Sequence, residues 1–292
     1  MMQGHDHPER TTVTDGDLAV RRVRMEYPAD FDPAWVPGYP EFAYAANGVS
    51  LMMPYYEPYF IRSVRSALPQ LEPALRARTE QYLGQEQQHQ LQHLAFNTII
   101  HGRYQNVGRY ERWLKRTCDW LWRTRSQKFN VAFAASSETI AFVMARWADH
   151  RLGSLFVGAD AQASTLFLWH LAEEVEHKTA AFDVFEAIDG SRLRYAWSSL
   201  VSVFTISWFI NLTIVSMLRT DHRLLRPGTW FRLTKLALGL AFELLPTLLV
   251  SSLPGHHPRD LADPAFLPAW LQSFDPETAT MPLWQPPPLP ER

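Results

Sequence analysis

From about Ser50 onward, apolar residues recur every three or four positions, the repeat of α-helices that bury one face. The first such segment runs to Leu68. Pro54 sits near its expected start, where a missing N–H costs little, and Pro58 is expected to kink it beside Glu57. Further helices are predicted over about Pro73–His101 (stopping at Gly102), Phe129–Arg151 (ending at Gly153) and Asp160–Ile188 (ending at Gly190). Two apolar segments follow, Tyr195–Leu218 and Leu233–Leu253, joined by a link containing Arg219, Arg223 and Arg226. The opening 40 residues mix charge, Pro and Trp, with one extended stretch at Leu18–Met25, and read as an arm laid over a core. Beyond residue 254 the chain is rich in proline, including PPPLP at 286–290, and is expected to be irregular.

No period-two alternation is long enough for a sheet, so the pattern predicts an all-α fold. Its expected divisions are an arm plus helical bundle over 1–190, a C-terminal apolar helical hairpin over 191–254 and a Pro-rich tail over 255–292. The segment Arg103–Lys128 is long for a connection and carries eight basic residues interleaved with Trp113, Trp120 and Trp122. A solvated amphipathic helix is its first reading and a membrane-surface contact its second. Tyr195–Leu218 has 24 residues without a charge, enough to span a bilayer, yet eight are Ser, Thr or Asn. It is expected to cover the bundle, with a membrane hairpin as the alternative.

Composition narrows the class. With 292 residues, 47% hydrophobic and 13% aromatic, the chain can bury a large core. A formal charge of −2 gives no reason to expect a nucleic-acid partner. The single cysteine, Cys118, excludes an internal disulfide framework, and the polar first residues contain no apolar signal core. The expected location is therefore cytoplasmic, with membrane association as an alternative.

The helix over 160–188 contains LWHLAEEVEHK, an apolar helical pattern interrupted by two histidines and three glutamates. At 100° per residue, His170, Glu174 and His177 fall at roughly 0°, 40° and −20°, one narrow stripe. Glu173 lies at its edge and Glu176 points away. In QEQQHQLQH, Glu86, His89 and His93 form a second stripe. The other two long helices each contribute one glutamate in an apolar or aromatic setting, Glu57 in MMPYYEPYF and Glu138 in SSETIAFVM. A glutamate from each of two helices plus Glu-x-x-His from each of two more is the ligand set of ferritin-like di-iron and di-manganese bundles. The candidate metal ligands are thus Glu57, Glu86, His89, Glu138, Glu174 and His177. Four carboxylates and two neutral imidazoles balance two divalent ions, iron first, with manganese or zinc as alternatives. A ferritin-like four-helix bundle also needs one long crossover, which Arg103–Lys128 supplies. His93 and His170 are then displaced toward the same end of the bundle. They are candidates for catalytic proton carriers, supporting hydrogen bonders or further ligands.

At these residues the chain resembles the family of predicted metal-dependent hydrolases, relatives of ferritin-like proteins. The resemblance covers roughly residues 18–190 and rests on VRRVRM, MMPYYEPYFIRSVRSAL, YLGQEQQHQLQH and LWHLAEEVEHKTAAFDVF. It implies the same six ligands, with His93 and His170 as additional histidines. Tyr56 stands where the family tends to have glycine, Pro58 follows Glu57, and Thr139 stands where a histidine is expected.

The expected function is a metal-dependent enzyme. O2-dependent oxidation of a small apolar organic substrate, with an electron donor, is the first reading. Hydrolysis through metal-activated water is the alternative, and metal storage or sensing a third.

Overall fold

A computed structural model describes residues 18–28 and 31–289, and these fold almost entirely into helices: α1 (Pro40–Arg65), α2 (Pro73–Arg103), α3 (Gly108–Thr124), α4 (Gln127–Asp149), α5 (Leu152–Leu155), α6 (Ala161–His177), α7 (Ala180–Ile188), α8 (Arg192–Thr220), α9 (Pro227–Ser251) and α10 (Phe266–Leu271). Among the described residues the only β pairing is an isolated bridge between Asp275 and Thr280.

α1 begins ten residues before its expected start. Pro40 occupies the first turn, where its missing N–H is no loss, and Pro54 and Pro58 lie inside the helix. Pro54 leaves the Ser50 carbonyl without its helical donor. The side-chain amide of Asn97 on α2 takes that place, donating to Ser50 O at 2.9 Å. An interior proline is tolerated here because a neighbouring helix supplies the missing hydrogen bond.

α1, α2, α4 and α6 surround the core, α1 packing most extensively on α2, and α4 against α6 and α7. The connection between α2 and α4 is α3, an amphipathic helix whose Leu114, Cys118 and Leu121 are buried while its basic residues face outward. α8 lies along α1 and α4, and α9 along α4. The helix expected over 160–188 is instead two, interrupted at Lys178–Thr179. Neither Gly nor Pro causes the break. Lys178 turns inward, fully buried, to donate to the Leu261 carbonyl at 2.9 Å and to pair with Asp263, while the Thr179 hydroxyl accepts from Arg78 at 2.8 Å.

The Leu18–Met25 arm is extended but joins no strand. α2 holds it with glutamines: Gln81 Oε1 accepts from Leu18 N (3.2 Å), and Gln85 and Gln92 donate to the carbonyls of Ala19 (3.0 Å) and Val23 (2.7 Å). The polar outer face of α2 is thus used on backbone rather than apolar packing. The segment beyond 254 is more ordered than its composition suggests. α10 packs on α6, Leu267 and Leu271 are buried, and Trp284 meets Phe156 edge to face.

Candidate metal centre

All six sequence-predicted ligands meet at one buried point. Glu57 comes from α1, Glu86 and His89 from α2, Glu138 from α4, and Glu174 and His177 from α6. None is more than 4% exposed. Ligand atoms of Glu86, His89, Glu174 and His177 lie within 4.8 Å of one another, and so do those of Glu57, His89 and His170. Glu138 closes the opposite side, with Oε2 3.6 Å from His177 Nδ1. Glu86 Oε1 stands 2.9 Å from His177 Nδ1 and 3.7 Å from His89 Nδ1, and Glu174 offers one oxygen to each ring at 3.6 and 3.7 Å. Glu86 and Glu174 therefore sit between the two imidazoles.

The donor set fits a pair of cations. Seven atoms of these six side chains are buried without a well-aligned hydrogen bond: both oxygens of Glu57, Oε1 of Glu86, Oε2 of Glu138 and of Glu174, and Nδ1 of both histidines; the Glu86 Oε1 and His177 Nδ1 among them meet only each other, at 2.9 Å. Buried polar atoms so poorly satisfied are rare and costly, and here they converge. The outer nitrogens are engaged elsewhere. His89 Nε2 donates to Glu173 Oε2 at 2.9 Å and His177 Nε2 to Gln85 Oε1 at 2.9 Å, which leaves each Nδ1 facing inward, where its lone pair would become available to a cation on loss of the proton. Tyr82 donates to Glu138 Oε1 at 2.8 Å and leaves Oε2 for the centre.

Electrostatics agree. Burial, then the proximity of Glu86, pushes Glu57 well above the usual carboxyl range, and burial followed by Glu174 does the same to Glu138. Burial disfavours a charged ring, yet the hydrogen bond to Glu173 and the nearness of Glu86 push His89 up to about 10. His177 is likewise raised by Glu174, Glu138 and Glu86 against the cost of burial. Burial works against Glu86 and Glu174 too, but His177 with His89, and His177 with His170, hold them below the usual carboxyl range, so the protons sit on Glu57, Glu138 and the imidazoles, and divalent cations entering this dry space would displace them.

His93 and His170 lie on one side of this point and bond to each other, His93 Nε2 to His170 Nδ1, at 2.7 Å. The direction of that bond follows from its neighbours. The Asn97 amide nitrogen donates to Ser50 O, so Asn97 Oδ1 faces the Ser50 hydroxyl and accepts from it at 2.6 Å. Ser50 Oγ must then accept from His93 Nδ1 at 2.8 Å, which makes His93 Nε2 the acceptor from His170 Nδ1. His170 Nε2 is left bare, 2.9 Å from Glu174 Oε1. Two acceptors at that distance need a proton or a cation between them. Burial, then the neighbouring rings, keeps both histidines below their ordinary pKa. The His170 ring stacks on His89 with centroids 4.2 Å apart.

Sequence reasoning did not find the groups that hold these ligands. Arg21 of the arm donates to Glu173 Oε1 at 3.0 Å and makes two bonds to Glu176, at 2.9 and 3.0 Å. Glu176 also accepts from Gln85 at 2.9 Å, which fixes the amide that receives His177. Glu173 therefore orients the His89 ring directly and Glu176 the His177 ring through Gln85, with Arg21 balancing both acids. The excess of glutamates in LAEEVEH signalled that counter-charges were needed, and VRRVRM contains the one supplied. Pro58 does not displace Glu57, whose carboxylate reaches the centre, and Thr139 bonds the Tyr195 hydroxyl at 2.7 Å, tying α4 to α8.

The chain belongs to the family described as predicted metal-dependent hydrolase, which it matches over residues 19–262, from the arm through α9. No curated protein and no solved structure is significantly similar to it.

Proposed function

We propose that this protein is a metal-dependent hydrolase whose centre is a pair of divalent ions held in a ferritin-like arrangement by Glu57, Glu86, His89, Glu138, Glu174 and His177. One observation supports the reading above others: seven donor atoms without a well-aligned hydrogen bond, from four helices, aim at one dry point. The family description supports hydrolysis as the reaction class. A bound ion pair would polarise a substrate oxygen and lower the pKa of water to near neutrality.

The chain's own residues do the rest. Glu57, with neither oxygen otherwise engaged, is the carboxylate freest to change how it binds. His170 takes up or releases a proton at Nε2. Its Nδ1 bond to His93 and the chain through Ser50 to Asn97 hold the ring in place while it does so. Trp169, edge-on to His89 with centroids 4.9 Å apart, and Phe167 beside His93 exclude bulk water on that side.

A second reading is O2-dependent oxidation of a small apolar substrate, favoured by the donor set, since four carboxylates with two imidazoles stabilise oxidised iron. Metal content tests the common part. About two divalent ions per chain are expected, with a clear reduction in Glu138→Ala. Unchanged occupancy in that variant would remove Glu138 from the ligand set, and no bound metal in the wild type would end both readings. Ester or phosphoester turnover with zinc or manganese under argon supports hydrolysis. O2 uptake by the ferrous protein with a transient visible absorption band supports oxidation, and iron accumulating far beyond two ions would indicate storage.

A further inference from the structure

α8 is apolar on its outer side as well as in part of its inner one, where Tyr195, Phe209, Ile214, Met217 and Leu218 are buried among hydroxyls. The side it presents to the bundle is hydroxyl-rich: Ser198, Ser199, Ser202, Thr205, Thr213 and Ser216 are all buried. Ser202 Oγ bonds Ser137 Oγ of α4 at 2.8 Å, and Thr213 packs where Gly48 of α1 lets the two backbones approach. The opposite stripe recurs every three or four residues and faces solvent with Leu193, Trp197, Leu200, Phe204, Trp208 and Val215. α9 repeats this with Phe231, Leu238, Phe242, Leu245 and Leu249, and Phe242 is 77% exposed. Water selects the opposite polarity on an outer helix face.

Charge says what covers it. Between residues 192 and 251 the chain has two acids, Asp221 and Glu243, and both are held inward. Asp221 accepts from Tyr44, Tyr104 and Arg103, and Glu243 pairs with Arg151 at 2.8 Å. Arg219 continues the α8 stripe one turn past Val215, Lys235 lies on the α9 stripe, and Arg226 is exposed in the turn between them. None of the three pairs with a carboxylate among the described residues. An outward surface with basic residues at one end and no acid cannot complement itself in a second copy. It complements anionic headgroups, with Trp197, Trp208 and Trp230 suited to the interface.

We propose that the α8–α9 hairpin lies flat on an anionic membrane, its outward apolar side chains in the boundary between headgroups and acyl chains. The hairpin does not cross the bilayer, although both helices are long and apolar enough. α8 is bonded to α4 at Ser202 and Tyr195, packs closely on Gly48 of α1 at Thr213, and is tied to α1 just past its end, where Asp221 accepts from Tyr44. Spanning would drag the bundle into hydrocarbon, including α2 with its exposed Arg76 and Glu80 and the exposed Glu72 that precedes it.

The test is flotation of the full chain with vesicles of pure phosphatidylcholine or of equal parts phosphatidylcholine and phosphatidylglycerol. Binding should favour the anionic vesicles by at least about tenfold and weaken with salt. The triple variant Arg219→Glu, Arg226→Glu, Lys235→Glu should abolish that preference. Phe204→Ser with Phe242→Ser should lower binding to both vesicle types at unchanged helical circular dichroism, because both side chains project from the surface. Carbonate washing should release the bound protein. Resistance to that wash would overturn the flat placement in favour of insertion. Failure to float on either vesicle would overturn the lipid assignment, and a dimer dissociated by Trp208→Arg would identify a second copy as the occupant instead.

Discussion

Arg21 supports the candidate metal centre without belonging to the cluster itself. Its guanidinium compensates Glu173 and Glu176, and these acids orient His89 directly and His177 through Gln85. Arg21→Ala leaves Glu173, which is fully buried, without its counter-charge, so the His89 ring loses its fixed tautomer and orientation. Metal affinity should fall about 10- to 100-fold while the fold persists, measured by competition with a chromophoric chelator. An unchanged affinity would mean that the rings are held by packing alone. The clustering of the six side chains was legible in the sequence because Glu-x-x-His puts two such groups on one helical stripe, and two such helices with a lone glutamate on each of two more leave few other arrangements. Arg21 was not, because its partner Glu173 lies 152 positions away and no local period connects them.

Among the elements, α1 and α6 depart most from their sequence patterns. The start of α1 was masked because Ala, Gly and Asn over 43–48 carry a weak apolar period while Pro54 imitates a beginning. Only the Asn97 amide, arriving from another helix, shows why the helix passes through that proline. The break after His177 was hidden for a similar reason, since the lysine that causes it binds Asp263, far along the chain. The turn after α8 makes a comparable long-range clasp. Tyr44 and Tyr104 each donate to Asp221 Oδ2 at 2.7 Å, and Arg103 to Oδ1 at 2.7 Å. Burial alone would raise the Asp221 carboxyl, but these three donors outweigh it and hold its pKa below the ordinary aspartate range. A depressed folded pKa contributes stability above the unfolded value, about 3.9, and loses it as pH falls through the lower folded value. Asp221→Ala should therefore cost about 2–3 kcal/mol at neutral pH by urea unfolding. The gap between variant and wild type should close in strong acid, and a gap independent of pH would show that charge plays no part in the clasp.

At the scale of the molecule, the all-helical architecture, the amphipathic crossover and the apolar hairpin follow the hydrophobic pattern closely, because each is a statement about period and length. How the hairpin sits was not legible, since hydropathy alone does not distinguish a helix that crosses a membrane from one laid along a bundle. The hydroxyls that join α8 to α4, Ser202 with Ser137 and Tyr195 with Thr139, are contacts that no hydropathy pattern carries. The segment beyond 254 was the least legible, because proline-rich composition hides the few apolar anchors, Leu267, Leu271 and Met281, that bind it to the helices. One of its contacts has a consequence for how ions come and go. His177 is the last residue of α6 and Glu174 lies in the same final turn, so fraying of that turn would free both while Glu57, Glu86, His89 and Glu138 stay embedded mid-helix. The Lys178–Asp263 strap is the latch on that door. Cutting it with Asp263→Ala should let a chelator strip the protein several times faster at nearly the same equilibrium affinity, as stopped-flow mixing would record, so a contact outside the bundle would set how long the centre keeps its ions.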